Sequence, residues 1–284
     1  MAEVQPSRGK RALVLGGGGV TGIAWEVGVL AALLASGVDL GTADPVIGSS
    51  AGAFVGAALA SGYDLERLFA AQSEPNDAEP RVAATPQTWA AWAGAFAAGG
   101  DDPHKIGAAL GEVSRATPAG MPLAERQAVV HARLVTTQWP HSLQVTAIDA
   151  DTGQLHVFDA ASGVSLLDAA SASGAVPGIW PLVTFNGRSW LDGGMVSTTN
   201  ARLAEGYERV VVLAPMPGAL GAIPGAAQDL AVLSAHARTL LIAPDEASVA
   251  AIGPNPYDPD QRGPAAAAGR VQGTALAETV RAIW

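Results

Sequence analysis

Val46-Ile47-Gly48-Ser49-Ser50-Ala51-Gly52-Ala53 is the stretch on which the reading of this chain turns. A short apolar segment, Pro45-Val46-Ile47, runs into the pentapeptide Gly48-Ser49-Ser50-Ala51-Gly52, and an Ala-rich apolar run follows to Ala60. This order predicts a strand over Val46–Ser49, a tight turn at Ser50 and a helix over Ala53–Ser61 ended by Gly62. A serine hydroxyl attacks a carbonyl well only when it stands clear of its neighbours, as it does on a sharp strand-to-helix elbow. The crowded backbone of such an elbow admits only small residues two places either side of the serine. Gly48 and Gly52 fill those places. The N-terminal N–H groups of the following helix would favour developing negative charge. A tight Gly/Ser turn in any α/β protein has the same pattern, so the pentapeptide alone leaves both readings open.

Working outward, Arg11–Leu15 reads as a buried strand and Gly16-Gly17-Gly18-Gly19 as a loop. Ile23 to Ser36 has helical spacing, with Ile23, Val27, Leu30, Leu33 and Leu34 on one face and Gly37 closing it. A strand–helix–strand–helix opening implies a parallel sheet with right-handed crossovers. Further along, residues 123–139 are expected to be helical. Leu143–Asp149 and Gln154–Phe158 are expected to form a hairpin around Asp151-Thr152-Gly153. Leu166–Ala172 reads as a short helix. Val183–Phe185 and Arg188–Leu191 flank Asn186-Gly187, a strong two-residue hairpin signal. Val210–Ala214 reads as a buried strand, residues 226–243 and 264–283 as helices, and Asn255–Gly263 as an exposed loop.

Residues 74–122 differ from the rest. Pro75, Pro80, Pro86, Pro103, Pro118 and Pro122 interrupt them, and Trp89, Trp92 and Phe96 share one helical face between the breaks. This region is expected to be an insertion or cap over the sheet. Its aromatic face either packs the cap onto the core or forms an apolar ligand wall or lipid-contact surface. The expected organisation is an N-terminal arm over residues 1–10 and a single α/β domain over 11–284. Its mostly parallel central sheet is flanked by helices.

Bulk properties narrow the function. The 284 residues are 49% apolar and 15% charged, with 34 glycines and 19 prolines, so a large core and many loops are both expected. The net charge of −10 argues against a nucleic-acid partner and against steering onto anionic lipid, but leaves a neutral or zwitterionic surface open. With no cysteine, disulfides and thiolate chemistry are excluded. The apolar run at Ala12–Leu15 is too short for a signal-peptide core, and no stretch approaches about 18 apolar residues. A cytoplasmic location is the default expectation.

Several residues are candidates for chemistry. Gly17-Gly18-Gly19-Val20-Thr21-Gly22 contains G-x-G-x-x-G between a strand and a helix, the arrangement of a dinucleotide site. Such a site also needs an acid closing the second strand, yet that strand ends in Gly48-Ser49-Ser50, and Asp39 and Asp44 precede it. A glycine loop can instead present consecutive backbone N–H groups to the oxyanion of a tetrahedral intermediate. A serine nucleophile also needs a base. His104, His131, His141, His156 and His236 are the available histidines, and none occupies a compelling loop after a strand. Asp192 follows the strand Arg188–Leu191 and precedes Gly193-Gly194, so it could reach a neighbouring loop at the sheet edge. An ordinary Asx-turn accounts for the same residues.

Together these residues resemble the patatin-like phospholipases over about residues 11–214. That family combines a Gly-rich oxyanion loop, a G-x-S-x-G serine and a D-G-[GA] aspartate. The matching segments here are Gly17–Gly22, Gly48–Gly52 and Asp192–Gly194, in the same order. A fourth segment, A-S-x-x-x-P, matches Ala172-Ser173-Gly174-Ala175-Val176-Pro177. The resemblance implies a three-layer patatin-like fold and a serine-dependent lipid acyl hydrolase without cofactor or metal. It implies Ser50 as nucleophile, Asp192 as base, and an oxyanion hole built from Gly17, Gly18 and Gly19. Its implied partner is a lipid or acyl-ester substrate, with peripheral membrane contact. One departure stands out: family members commonly carry Arg or Lys where this chain has Thr21. Two alternatives remain beside it. One is a conventional α/β-hydrolase with Ser50, an acid and His236; the other is a non-catalytic protein retaining the fold.

Overall fold

The structure, a computed structural model, describes residues 10–76, 79–117 and 120–284. The expected arm over 1–10 lies outside them except for Lys10, as does Pro118. Ten helices and eight strands alternate among the described residues. The first part runs β1 (Arg11–Leu15), α1 (Gly19–Ala35), β2 (Val46–Gly48), α2 (Ala51–Ala60) and α3 (Leu65–Ala71). Then come α4 (Pro86–Gly99), α5 (Pro103–Ala116) and α6 (Leu123–Arg133). The middle holds β3 (Leu143–Asp149), β4 (Leu155–Phe158), α7 (Leu166–Ser173), β5 (Val183–Phe185) and β6 (Arg188–Asp192). The last part is β7 (Arg209–Leu213), α8 (Ala226–Leu233), β8 (Arg238–Ile242), α9 (Glu246–Ile252) and α10 (Arg262–Ile283).

The strands form one sheet in the order β5-β6-β3-β2-β1-β7-β8, with β4 paired to β3. From β3 to β8 all neighbours are parallel, whereas β4, β5 and β6 pair antiparallel. Alternation along β1 explains the layers, because successive side chains leave a strand on opposite faces. Leu13 and Leu15 join Val46, Val211 and Leu213 under α1, α2, α7 and α10. Ala12 and Val14 join Ile47, Val210 and Val212 on the other face, under α8 and the short 3-10 turn Ala201–Ala204. A third apolar cluster binds α4 and α5 to the sheet through Trp92, Ile106, Leu110, Ile148 and Leu191.

The register of β3 positions the site. Val145 pairs with Gly48 of β2 and with Phe158 of β4, so β2 and β4 lie on opposite edges of β3. Ala147 pairs with His156 of β4 and Asp192 of β6, so β4 and β6 are also on opposite edges. Strands β2 and β6 therefore share one edge of β3, end to end. One is parallel to β3 and the other antiparallel, so their carboxyl ends point at each other with Thr146 between them.

Some expectations need correction. Residues 226–243 are not one helix: α8 stops at Leu233, and Arg238–Ile242 is an edge strand paired with β7. The Ala-rich sequence favours helix locally, but pairing with the apolar edge of β7 overrides that preference. Helix α6 ends at Arg133 rather than continuing to residue 139, and α9 was not anticipated. Helices α1 and α2 begin at Gly19 and Ala51, ahead of Ile23 and Ala53. The segment 255–263 does not stand free in solvent: the Pro256 carbonyl accepts the Thr21 N–H at 3.2 Å, which ties it to the glycine loop. The Asn186-Gly187 hairpin is present, with φ of 52° and 71° at its two turn residues.

Candidate active site

Ser50 occupies the elbow between β2 and α2 with φ 53° and ψ −114°, a conformation rare for any residue with a side chain. Holding it costs roughly 1–3 kcal/mol, which the surroundings must supply. They do so from both sides. The Ser50 N–H donates to the Ser173 hydroxyl at 2.8 Å, and the Ser49 N–H donates to the Leu15 carbonyl at 3.0 Å. At Gly52 a Cβ would lie 2.0 Å from the Leu15 carbonyl oxygen, so only glycine lets α2 pack this close to β1.

Asp192 ends β6 opposite this elbow. It is almost fully buried, and its N–H donates to the Ala175 carbonyl at 3.1 Å. Its carboxylate accepts the Gly194 N–H at 2.7 Å and lies within reach of the Ser50 hydroxyl. Burial pushes its pKa up to about 6, against the opposing pull of Ser50, the Gly194 N–H and the Arg126 charge. The segment 172–177 thus pins the backbones of both Ser50 and Asp192. It also holds the Trp92 indole, which donates to the Pro177 carbonyl at 2.9 Å.

A buried polar lattice ties the two loops together. The Asn200 amide donates to the Ser49 hydroxyl and to the Gly193 carbonyl, both at 2.8 Å. The hydroxyls of Ser49 and Thr146 are 2.7 Å apart. Below them the Ser197 hydroxyl accepts the Asn200 N–H and donates to Asp229 at 2.7 Å. Asn200 itself adopts the left-handed conformation that asparagine tolerates better than most residues.

The glycine loop lies against the serine: a Cβ on Gly17 would sit 3.5 Å from the Ser50 Cβ. Its donors are not equivalent. The Gly17 N–H is already engaged by the Thr198 carbonyl at 3.2 Å, which removes it from the expected set of donors. Gly18 and Gly19 precede or begin α1, and their N–H groups take no acceptor among the described residues. Gly19 has φ 62°, and a Cβ there would meet the Pro256 carbonyl at 2.3 Å, so this position demands glycine.

An apolar cavity of about 220 Å³ opens beside Ser50, walled by Trp89, Trp92, Val176, Met195, Leu220 and Tyr257. Trp92 is buried and Trp89 half exposed, their rings edge to face at 4.9 Å. The aromatic face of α4 therefore both packs and lines a cavity. A narrow branch beyond Ser50 is lined by Phe54, Glu79, Arg126, Arg133 and Trp180. None of the five histidines lines either space. His236 is exposed just before β8, at the amino edge of the parallel strands, whereas Ser50 is at their carboxyl edge.

Ser173, Asn200, Thr146 and Arg126 had no assigned role in the sequence. Ser173 lies in a quoted motif, but neither its partner nor those of the other three can be read from local spacing.

The model of the patatin-like phospholipases matches residues 13–205. The chain belongs to that family of lipid hydrolases. Among solved structures, VipD from Legionella pneumophila is similar at 15% identity and a TM-score of 0.46, over 95% of this chain and 67% of that one. The type III effector protein ExoU is similar at 18% identity and a TM-score of 0.45, over 97% of this chain and 54% of that one. This patatin-like chain thus spans between about half and two thirds of those proteins. No curated protein matches it. None of its described helices is long and apolar enough to cross a membrane.

Proposed function

We propose that this chain hydrolyses a lipid acyl ester with Ser50 as nucleophile and Asp192 as the base. The observation that carries the reading is the meeting of β2 and β6 end to end. It puts a strained, accessible serine opposite a buried carboxylate whose burial raises its proton affinity. Ser50 Oγ attacks the acyl carbonyl carbon while its proton passes to the Asp192 carboxylate. The carbonyl oxygen becomes an oxyanion held by the N–H groups of Gly18 and Gly19. As the tetrahedral intermediate collapses, the alcohol leaves and takes the proton from Asp192. Water then attacks the acyl-serine, again losing its proton to Asp192, and the fatty acid departs as Ser50 regains its hydrogen.

The apolar cavity beside Ser50 suits the acyl chain, and half-exposed Trp89 at its rim suits contact with a neutral or zwitterionic lipid surface. Thr21 contributes no charge to the loop; its N–H instead fixes the loop to Pro256. A fluorophosphonate tests the nucleophile. It is expected to label Ser50 in the parent and nothing in Ser50→Ala. Asp192→Asn is expected to lower kcat by about 10²–10⁴-fold, the usual worth of a positioned base, while His236→Ala stays as active as the parent. Folded parent protein that takes no label, or a fully active Asp192→Asn, would sink the reading.

A further inference from the structure

Arg126 is the buried cation that the proposed reaction leaves unused. It sits on α6 with only 4% of its surface exposed, and it lines the narrow branch of the cleft that begins at Ser50. Its guanidinium carbon lies over the Trp180 ring, 3.9 Å from the ring centre. Such a contact offers no acceptor to the guanidinium N–H groups, which radiate in the plane. One terminal nitrogen, Nη1, is fully buried without a hydrogen-bond partner among the described residues.

The nearby acids do not neutralise it. Glu79 is buried and paired with Arg133, at 2.5 Å. Glu79 and Asp192 act on Arg126 only through space. The branch therefore holds two guanidinium groups, Arg126 and Arg133, against one carboxylate committed to the second of them. Burial lowers the Arg126 pKa to about 9, which still leaves it charged at neutral pH. A buried charge without a counter-ion is unfavourable unless something anionic joins it. The guanidinium fork fits tetrahedral and planar oxyanions well.

We propose that Arg126 is an anion subsite holding a phosphate group on the alcohol side of the substrate, while the acyl chain occupies the apolar cavity on the other side of Ser50. The proposal deepens the hydrolase reading and rests on it for the position of the ester. What it adds to the family's acyl lipid substrates is a residue, Arg126, that would favour a phosphate-bearing alcohol over a neutral glyceride. The arrangement orients the substrate, because the chain and the charge have one complementary wall each. Glu79 helps by holding Arg133, which leaves Arg126 open to the ligand.

The test is binding, so that it does not depend on turnover. Full-length Ser50→Ala protein is titrated calorimetrically with three probes, each below its micelle concentration. These are a 1-O-alkyl-glycerol-3-phosphate, the matching 1-O-alkyl-glycerol, and inorganic phosphate. The ether phosphate is expected to bind about 10–100-fold tighter than the neutral ether, as a charge-assisted contact implies. Adding Arg126→Gln should abolish that preference, and Arg126→Lys should keep part of it. Equal binding of the two ethers overturns the proposal, as does failure of the ether phosphate to bind. So does a preference that survives in folded Arg126→Gln. Inorganic phosphate binding as tightly as the ether phosphate overturns the headgroup assignment and leaves a site for free phosphate. If Arg126→Gln does not fold, the comparison of the two ethers on intact Arg126 still decides. A protein that passes this test but takes no fluorophosphonate at Ser50 loses the hydrolase reading and keeps the anion site.

Discussion

A base of ordinary carboxylate pKa would be a poor acceptor for a serine proton, and Asp192, the proposed base, differs from that for an identifiable reason. Burial raises its pKa to about 6, while the Gly194 N–H, Ser50 and Arg126 restrain the rise. Only the ionised form can take the proton, so activity should climb with pH through about 6 and be lost below it. The rise should follow a single proton. Measuring kcat/KM on a neutral ester from pH 4.5 to 8.5 checks this. A flat profile across pH 5–7 would contradict Asp192 as the base. Arg126 stabilises the charged form, so Arg126→Gln should move the midpoint to higher pH. Neutralising a distant exposed cation such as Lys105 should leave the midpoint in place.

At the scale of elements, the site depends on the alignment of two strand ends that are 144 residues apart in the sequence, Gly48 and Asp192. Asn200 is the cross-tie, donating to the Ser49 side and to the Gly193 side at once. Asn200→Ala leaves the Gly193 carbonyl without this buried donor, at a cost of about 1–3 kcal/mol in stability. Because the loss falls between the serine and the aspartate, kcat should drop about 10–100-fold with KM little changed, since a small misplacement costs that much. Asn200→Asp, nearly the same shape but without the amide donor, should not rescue it. Steady-state kinetics with a thermal melt separates these outcomes, and wild-type kcat in Asn200→Ala would refute the cross-tie.

The same elements show what could be read from sequence. Strand β1, the glycine loop, α1, β2 and α2 were legible because each is specified by residues within a few positions. The hairpin at Asn186-Gly187 was legible for the same reason. Strand β8 was not, because Arg238–Ile242 becomes a strand only by pairing with β7. The partnership of Ser49, Thr146 and Asn200 was equally hidden, being set by the register of β2 and β6 along β3. Ser50 and Asp192 could be singled out as candidates because each sits in a short motif. Arg126 was missed because a single arginine in a helix looks the same whether it faces water or a cleft.

Across the whole molecule, α1 is a largely enclosed element, lying between the sheet and α10. It carries Glu26, which has no exposed surface; the Gly16 backbone is the one polar group that acts on its carboxyl, and neither carboxylate oxygen has a well-formed hydrogen bond among the described residues. Burial raises the Glu26 pKa well above its ordinary value of 4.5, and the Gly16 backbone opposes this only in part. The folded protein therefore keeps a proton on Glu26 that the unfolded chain releases above pH 4.5. Where the native state binds more protons than the unfolded state, stability falls as pH rises. Each pH unit between the two pKa values costs up to about 1.4 kcal/mol. Below the unfolded value the group contributes no pH dependence. Glu26→Gln keeps the shape, removes the titration and should relieve this loss. Its melting temperature should gain on the parent as pH rises from 5 to 8, with the difference between the two proteins constant below pH 4.5. Thermal melts of both proteins at pH 4, 6 and 8 check the sign. A difference that stays the same at all three values would mean that Glu26 titrates in the fold as it does in the unfolded chain, and would overturn this prediction.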